Sequence, residues 1–303
     1  MLNCSRLRQP SPYLLLVLTT LFWSGNFVLG RAMHAVFTPF ALSFWRWAVA
    51  LLILLPFVGA SLWMQRALLR RHWPILLLLS VLGVVNFNTL VYIGLQQTTA
   101  TNALITLSVT PVLIVGLSFF LLRQTVTVWQ AVGILVSLTG VLVIVGRGDI
   151  EVLLARQVNP GDLWALAAVF SWALYSVCLR WRPAGLEPLV FQATTMVFGI
   201  VILAPLYAWD VAQGHRIAVN FATVSSIGYL ALFPSILAYI FWNRAVAELG
   251  ANRTGQFLHL MPAFGAVLAM IFLGERLYPF HGVGIALIAL GIWLATVYRR
   301  RAA

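Results

Sequence analysis

Two short polar patterns in this sequence combine side chains that could bind a small molecule. Asn88 and Tyr92 are four residues apart, and Tyr239 and Asn243 repeat the pair in reverse order. On a helix, side chains four residues apart share a face, so each pair would present an amide and a phenol together. These groups can hydrogen-bond an ammonium or a carboxylate without holding a permanent charge. We interpret them as substrate contacts; hydrogen bonding between helices is the alternative interpretation.

Other polar and aromatic residues inside apolar segments are candidates for the same site. His259 could donate to a carboxylate or exchange protons, and deep aromatic rings could hold an ammonium by cation–π attraction. Helix packing is the alternative for each of them. The predicted substrate-binding residues are Trp23, Asn26, Asn86, Asn88, Tyr92, Thr106, Trp172, Tyr175, Tyr239, Trp242, Asn243, Gln256 and His259.

Three further residues occupy unusual positions within apolar segments. Pro111 and Pro262 each remove one helix hydrogen bond and free a carbonyl one turn earlier, at Leu107 and Leu258. We predict that both prolines act as hinges. The alternative is a kink whose freed carbonyl accepts a hydrogen bond from a neighbouring helix. Arg46 lies between two tryptophans, and we assign it a structural role, with binding of an anionic group as the alternative.

The sequence contains no pattern typical of an enzyme active site. It has no phosphate-binding loop, no cluster of metal ligands and no Ser-His-Asp arrangement. We therefore predict no catalytic residue, no cofactor, no metal and no drive by ATP. All seven acidic residues lie at the ends of apolar segments or in loops, away from the positions that buried proton relays occupy. They are Asp149, Glu151, Asp162, Glu187, Asp210, Glu248 and Glu275.

The composition indicates that most of the chain lies in helices that cross a membrane. Of 303 residues, 62% are hydrophobic and 9% are charged, against about 25% charged in soluble domains. A spanning helix needs roughly 20 apolar residues. A cytosolic enzyme, a disordered protein and a secreted disulfide scaffold are therefore excluded. The ten predicted segments are Tyr13–Met33, Phe40–Ala60, Trp73–Leu95, Asn102–Leu122, Val126–Val145, Leu163–Trp181, Pro188–Ala208, Val224–Val246, Thr254–Leu273 and Phe280–Tyr298.

The positive charge fits a membrane protein better than a nucleic-acid-binding protein. All 19 basic residues are Arg, and the formal net charge is +12. They lie between apolar segments and form no stripe, so anionic lipid headgroups are the better counterpart. With ten spans, 13 arginines fall on the side of both termini and five on the other side, and Arg46 lies inside a span. This asymmetry predicts that both termini are cytoplasmic.

The chain contains an internal repeat. A shift of 149 residues aligns Trp23 with Trp172, and a shift of 151 aligns Pro111 with Pro262 because two residues are inserted in between. Each half holds five predicted spans, and since five is odd, the second half enters the membrane in the opposite direction. Inverted repeats are a recurrent construction in transporters. The predicted five-helix repeats are residues 1–150 and 151–303.

Glycines mark the fifth span of each half. Gly133 and Gly140 are seven residues apart, and so are Gly284 and Gly291. Each pair shares a helix face, and small residues allow helices to approach closely in a membrane. We predict close helix packing at these positions.

These motifs resemble those of the drug/metabolite transporter superfamily, EamA type. The resemblance rests on Phe22–Phe27 and its counterpart Ser171–Tyr175, on Pro111 and Pro262, and on Leu273–Glu275 before the last segment. It implies two inverted five-helix repeats, in which the first four spans of each surround a central cavity and the fifth stands outside. Within the family, the chain is most similar to bacterial inner-membrane exporters of amino acids.

The first half departs from the family pattern at one point. It has Arg123 and Gln124 where the second half has Gly274 and Glu275. We therefore assign no transport chemistry to that position.

We expect an all-α integral membrane protein that exports amino acids, aromatic ones included, across the bacterial inner membrane by alternating access. Transport would be facilitated rather than driven by ATP. The alternative is a proton-coupled exporter of other small metabolites or cationic drugs; a channel and a membrane-embedded enzyme are less favoured. The expected partners are a small-molecule substrate and membrane lipid, without nucleic acid, and the protein would be a monomer or a weak dimer.

Overall fold

The computed structural model describes residues 10–146, 148, 149, 151, 160–273 and 278–297. Within this part of the chain, all regular structure is helical and no strand occurs. A bilayer offers no water to unpaired backbone groups, and a helix satisfies these groups within one segment. The all-α prediction is confirmed for these residues.

The α-helices of the first half alternate long spans with short segments. They are α1 (Pro12–Ala32), α2 (Pro39–Met64), α3 (Arg66–Arg71), α4 (Trp73–Ser80), α5 (Phe87–Gln97), α6 (Ala100–Leu107), α7 (Thr110–Leu122) and α8 (Val128–Val145).

The second half follows a similar sequence of elements. Its α-helices are α9 (Pro160–Cys178), α10 (Pro188–Ala212), α11 (Phe221–Leu230), α12 (Ala238–Leu249), α13 (Ala251–Gly255), α14 (Leu260–Leu273) and α15 (Pro279–Val297).

Segments of different winding interrupt the spans at matching places. A π-helical segment, Val81–Asn86, joins α4 to α5, and a second one, Ala231–Leu237, joins α11 to α12. A 3₁₀ segment, Gln256–His259, joins α13 to α14, and another, Leu179–Trp181, extends α9. π-Helical turns are rare and often occur at functional sites.

The outer surface of the helices suits a bilayer. Seven helical stretches in the described part, counted together with their π-helical and 3₁₀ segments, are long and apolar enough to cross a membrane, and α7 and α15 are shorter apolar helices. Large apolar side chains face outward, such as Phe57 with 76% and Phe120 with 72% of their surface exposed. The chain is therefore a multi-pass membrane protein.

Besides the segments that contain π-helical winding, two predicted segments are interrupted in front of a proline. The segment predicted over Asn102–Leu122 is broken at Ser108 and Val109, between α6 and α7. The segment predicted over Thr254–Leu273 changes to 3₁₀ winding before α14. The hydropathy pattern is continuous across both breaks and therefore could not locate them.

The two prolines begin helices instead of kinking them in the middle. Pro111 is the second residue of α7 and Pro262 the third residue of α14, so both lie in a first turn. A first-turn proline loses no helix hydrogen bond, because that N–H has no partner in the helix. The carbonyl of Leu107 accepts a hydrogen bond from the Thr110 hydroxyl. The mid-helix position that the sequence predicted was thus wrong, because each break precedes its proline.

Helices α8 and α15 pack face to face through the four glycines. A Cβ atom added at Gly133 would lie 2.5 Å from the carbonyl oxygen of Gly291, and one at Gly140 would lie 2.6 Å from that of Gly284. The pairing runs in opposite directions along the two helices, so they are antiparallel. The close packing predicted for these glycines is confirmed.

A larger side chain at this contact should destabilise the fold. We expect Gly291→Leu to reduce the free energy of unfolding by about 1–3 kcal/mol, because the added atoms overlap the backbone of α8. Thermal unfolding in detergent, followed by tryptophan fluorescence, measures the change. Gly116→Leu is the control, since no atom lies within 4 Å of a Cβ at Gly116. Equal midpoints for the two variants would contradict the packing.

Candidate functional site

Arg46 lies at the centre of a hydrogen-bond network, although only 1% of its surface is exposed. Its Nε donates to Ser235 Oγ at 2.8 Å. Its Nη1 lies 3.0 Å from Asn26 Oδ1, 2.8 Å from Asn88 Oδ1 and 2.7 Å from the Tyr92 hydroxyl. The guanidinium thus connects α1, α2, α5 and the second π segment, and all four acceptors are neutral.

Asn88 and Tyr239 join the two halves of the chain at the same place. Asn88 Nδ2 donates to the Tyr239 hydroxyl at 3.1 Å and to the carbonyl of Gly83 at 3.1 Å. The Tyr239 hydroxyl in turn donates to the Gly83 carbonyl. A π-helical segment leaves backbone carbonyls available to side chains, and Gly83 lies in such a segment.

The two amide–phenol pairs predicted from the sequence do contribute to this interior, but their bonds run to other helices. The Tyr92 hydroxyl donates to Asn26 Oδ1 on α1 at 2.7 Å. The Tyr175 hydroxyl on α9 donates to Asn243 Oδ1 at 2.7 Å. Each half therefore contains one buried hydrogen bond between a tyrosine and an asparagine.

An aromatic cluster packs against the polar network. The ring centroids of Trp23 and Trp172 are 4.9 Å apart and nearly perpendicular, and Trp242 lies 5.5 Å from Trp172. Tyr239 contacts Trp23 and Trp172 edge-on at 5.9 and 5.3 Å. Phe87 closes the cluster at 4.7 Å from Trp172. Edge-to-face contacts of this kind leave π faces that can hold apolar groups or a cation.

Four predicted residues lie outside this network. His259 is fully buried, but its Nδ1 lies 2.6 Å from Ser137 Oγ on α8 and its Nε2 lies 3.0 Å from the carbonyl oxygen of Ser108. These contacts favour the helix-packing interpretation of this histidine. Gln256 is also buried, and its side-chain amide has no hydrogen-bond partner among the described residues. Asn86 and Thr106 are half-buried.

Sequence reasoning left three polar residues out of the site that the structure brings into it. Arg46 is the centre of the network, Ser235 accepts from it, and Gln192 Oε1 accepts from Asn243 Nδ2 at 3.3 Å. Their common signal is a polar side chain deep inside an apolar segment, which is rare in a membrane protein.

A narrow void adjoins the network and the aromatic cluster. It is too narrow to admit a water molecule. The central cavity that the family resemblance implied is therefore nearly closed in this conformation. The void is lined by Trp23, Asn26, Phe27, Phe87, Asn88, Leu107, Trp172, Leu258 and Met261.

Two wider cavities open towards opposite ends of the helices. The first, of about 430 Å³, is lined by Arg180, Arg182 and Glu248, and it reaches inward to Asn243. The second, of about 450 Å³, is lined by Phe37 and Asp210 among others. No residue of the buried aromatic cluster lines either of them.

The acidic side chains lie at helix ends, as predicted, wherever the structure describes them. At the end with the second cavity, Asp210 accepts a hydrogen bond from Thr38 and lies 3.0 Å from His215 Nδ1. At Asp162, in the first turn of α9, Oδ1 accepts from the Thr98 hydroxyl at 2.6 Å. Glu275 lies outside the described residues.

Comparison with known proteins gives a single family. The sequence profile of the EamA-like transporter family matches this chain twice, over residues 10–146 and 159–297. An uncharacterized transporter of Bacillus subtilis is 26% identical, with 94% of this chain and 93% of that protein aligned. A protein of Streptantibioticus cattleyicolor, named as a probable terminal-alkyne amino-acid exporter, is 30% identical, with 95% of each chain aligned.

A solved crystal structure shares the fold. It superposes with a TM-score of 0.74 and 21% identity, and the match covers 96% of this chain and 98% of the other. At this level of identity, the likeness concerns the helix arrangement alone.

Removal of one hydroxyl from the network should destabilise the protein. In Tyr92→Phe, Arg46 loses an acceptor and Asn26 loses a donor, so we expect the free energy of unfolding to fall by about 1–3 kcal/mol. Reversible denaturation in mixed micelles measures the change. Tyr207→Phe is the matched control, because no hydrogen bond joins the Tyr207 hydroxyl to a described residue, and it should stay within about 0.5 kcal/mol of the parent. A Tyr92→Phe protein as stable as the control would show that the network contributes nothing.

Proposed function

Because this chain belongs to the EamA-like transporter family, we propose that it exports amino acids, aromatic ones included, across a bacterial inner membrane. Transport would be facilitated and would proceed by alternating access. The observation that carries this proposal is the buried contact between the polar network around Arg46 and a tryptophan cluster at the junction of the two halves. A zwitterion with an apolar side chain has groups that match both parts.

The proposal includes ten spans in two inverted five-helix repeats, residues 1–150 and 151–303, with both termini in the cytoplasm. Near a two-fold axis, equivalent residues of the two repeats contact each other. Trp23 packs on its equivalent Trp172, and Asn88 is hydrogen-bonded to its equivalent Tyr239. The two separate matches of the family profile also support two units.

Reciprocal contacts support the same symmetry away from the axis. The position equivalent to Gly133 is Gly284, and that equivalent to Gly140 is Gly291; the contacts are Gly133 with Gly291 and Gly140 with Gly284. This exchange of partners is what a two-fold relation between the halves produces. The hydrogen bonds Tyr92–Asn26 and Tyr175–Asn243 likewise occupy equivalent positions, with the residue types exchanged.

Alternating access would use the two cavities in turn. The central void is too narrow for a water molecule in this conformation, so the repeats must rock to widen it towards one cavity at a time. At the end with the second cavity, the bonds Thr38–Asp210 and Thr98–Asp162 link different helices. These links would break when that end opens and form again when it closes.

Export of cationic drugs is the less favoured alternative. The central network holds a permanent positive charge at Arg46, and a second cation beside it would be repelled. A site for a cation in the membrane needs a carboxylate near the middle of a span. Among the described residues, the carboxylates lie at the helix ends instead.

The aromatic cluster should determine the preference for aromatic substrates. In proteoliposomes, we expect counterflow of labelled Phe that Trp, Met and Thr inhibit. Trp172→Leu should weaken exchange of Phe about three- to tenfold, because it removes aromatic contacts, and should change exchange of Thr less than about twofold. Trp209→Leu is the control, since Trp209 is 57% exposed at the outer surface. Absence of competition by any amino acid would reject the proposed function.

Transport should not need a proton gradient. His259 is occupied by two helix-packing contacts, so we expect the same initial rates with and without an imposed pH gradient. His259→Ala should lower stability through loss of these contacts and leave this independence unchanged. Uptake that requires the pH gradient, and loses that requirement in His259→Ala, would refute facilitated transport.

A further inference from the structure

The charge of Arg46 has no counterion in the described part of the chain. A guanidinium stays protonated in proteins, and the ion pairs among the described residues involve other side chains. The hydrogen-bond acceptors of Arg46 are amides and hydroxyls. A buried charge is normally paired with an opposite charge, because isolation from water is costly. This arrangement leaves an anion to be supplied from outside the protein.

The donors of Arg46 are only partly used. Nε and Nη1 make the four hydrogen bonds, whereas Nη2 makes none to a described residue. A carboxylate prefers two parallel bonds from adjacent guanidinium nitrogens. One oxygen would use Nη2, and the other would replace a neutral acceptor on a neighbouring nitrogen.

The surroundings of Arg46 define the rest of the ligand. Its acceptors Asn26 and Asn88 also line the central void, together with Trp23, Phe87 and Trp172. A carboxylate held by the guanidinium therefore places the remainder of its molecule among aromatic rings. We propose that Arg46 is the anchor for the carboxylate of the substrate and makes the site selective for carboxylates attached to an apolar body. This inference rests on the proposed transport function.

The anchor also links binding to the junction of the repeats. Thr195 stands at the position equivalent to Arg46 in the second half, so the charge belongs to the first half alone. The bond from Arg46 Nε to Ser235 crosses to the second half. A carboxylate that replaces Ser235 removes one of the hydrogen bonds between the halves, and others such as Asn88–Tyr239 remain.

A series of ligands tests the anchor in the unmodified protein. Counterflow of labelled Phe in proteoliposomes would be challenged with Phe, phenylalaninamide and phenylpropionate, with ligand-induced thermal stabilisation as a second measurement. We expect Phe and phenylpropionate to compete at least about tenfold more strongly than the amide, because a charged hydrogen-bonded pair is lost in the amide. Equal competition by the acid and the amide would overturn the proposal.

Variants test whether Arg46 causes the selectivity for the acid over the amide. Arg46→Gln should remove the preference for the acid over the amide, whereas Arg46→Lys should retain it in weaker form. Arg66→Gln is the matched control, since Arg66 is exposed and its Nη1 donates to the carbonyl of Trp63. Full acid selectivity in folded Arg46→Gln protein would exclude the anchor. If Arg46→Gln does not fold, the ligand series on the unmodified protein and the selectivity of Arg46→Lys still test whether Arg46 anchors the carboxylate.

Failure of the anchor can be distinguished from failure of the proposed function. Stabilisation by phenylpropionate but not by Phe or the amide would support the anchor and reject an amino-acid substrate. Exchange of Phe and phenylalaninamide at equal rates would support amino-acid transport and reject the anchor. Stabilisation only by uncharged or cationic compounds would reject both.

Discussion

A buried guanidinium constrains the centre of this protein. A guanidinium is charged in proteins, and the low polarity around Arg46 makes every unused hydrogen bond costly. Neutral acceptors must therefore gather around it, and they come from α1, α5 and the π segment of the second half. These hydrogen bonds therefore help, together with apolar packing, to position α1, α5 and the π segment relative to α2.

The two π segments bring several of the polar groups around Arg46 together. Their altered winding brings carbonyls and side chains such as Ser235 to the centre, and the Pro234 carbonyl accepts from the Trp23 indole at 3.0 Å. The matching segment in the first half offers the Gly83 carbonyl to Asn88 and Tyr239. Two changes in helix winding thus join the polar network to the aromatic cluster. In contrast, α8 and α15 pack through glycines, which suits helices that support the others without entering the site.

The closed centre gives the proposed transport cycle a starting point. The described cavities lie at opposite ends, and neither is lined by the rings of Trp23, Trp172 and Trp242, which pack on one another in the interior. Aromatic contacts are broad, so the apolar side chain of a ligand can replace one contact between rings with little loss of free energy. A ligand carboxylate can likewise replace one neutral acceptor of Arg46. The substrate would then replace interactions within the protein by similar ones, so neither opening nor closing would carry a large cost in free energy.

The membrane class, the helical fold and most of the interior residues, including Asn26, Asn88 and Tyr239, could be predicted from the amino-acid order, because hydropathy and helical spacing are local properties. The amino-acid order also identified the glycine contact, since two equal spacings specify one face on each helix. Which side chains meet follows from the packing of the helices. The role of Arg46 and the packing of His259 against α8 depend on partners 20 or more residues away. The breaks before Pro111 and Pro262 depend on a change of winding that the apolar sequence does not reveal. A buried polar residue can be recognised from sequence, but its partner is fixed only when the helices pack.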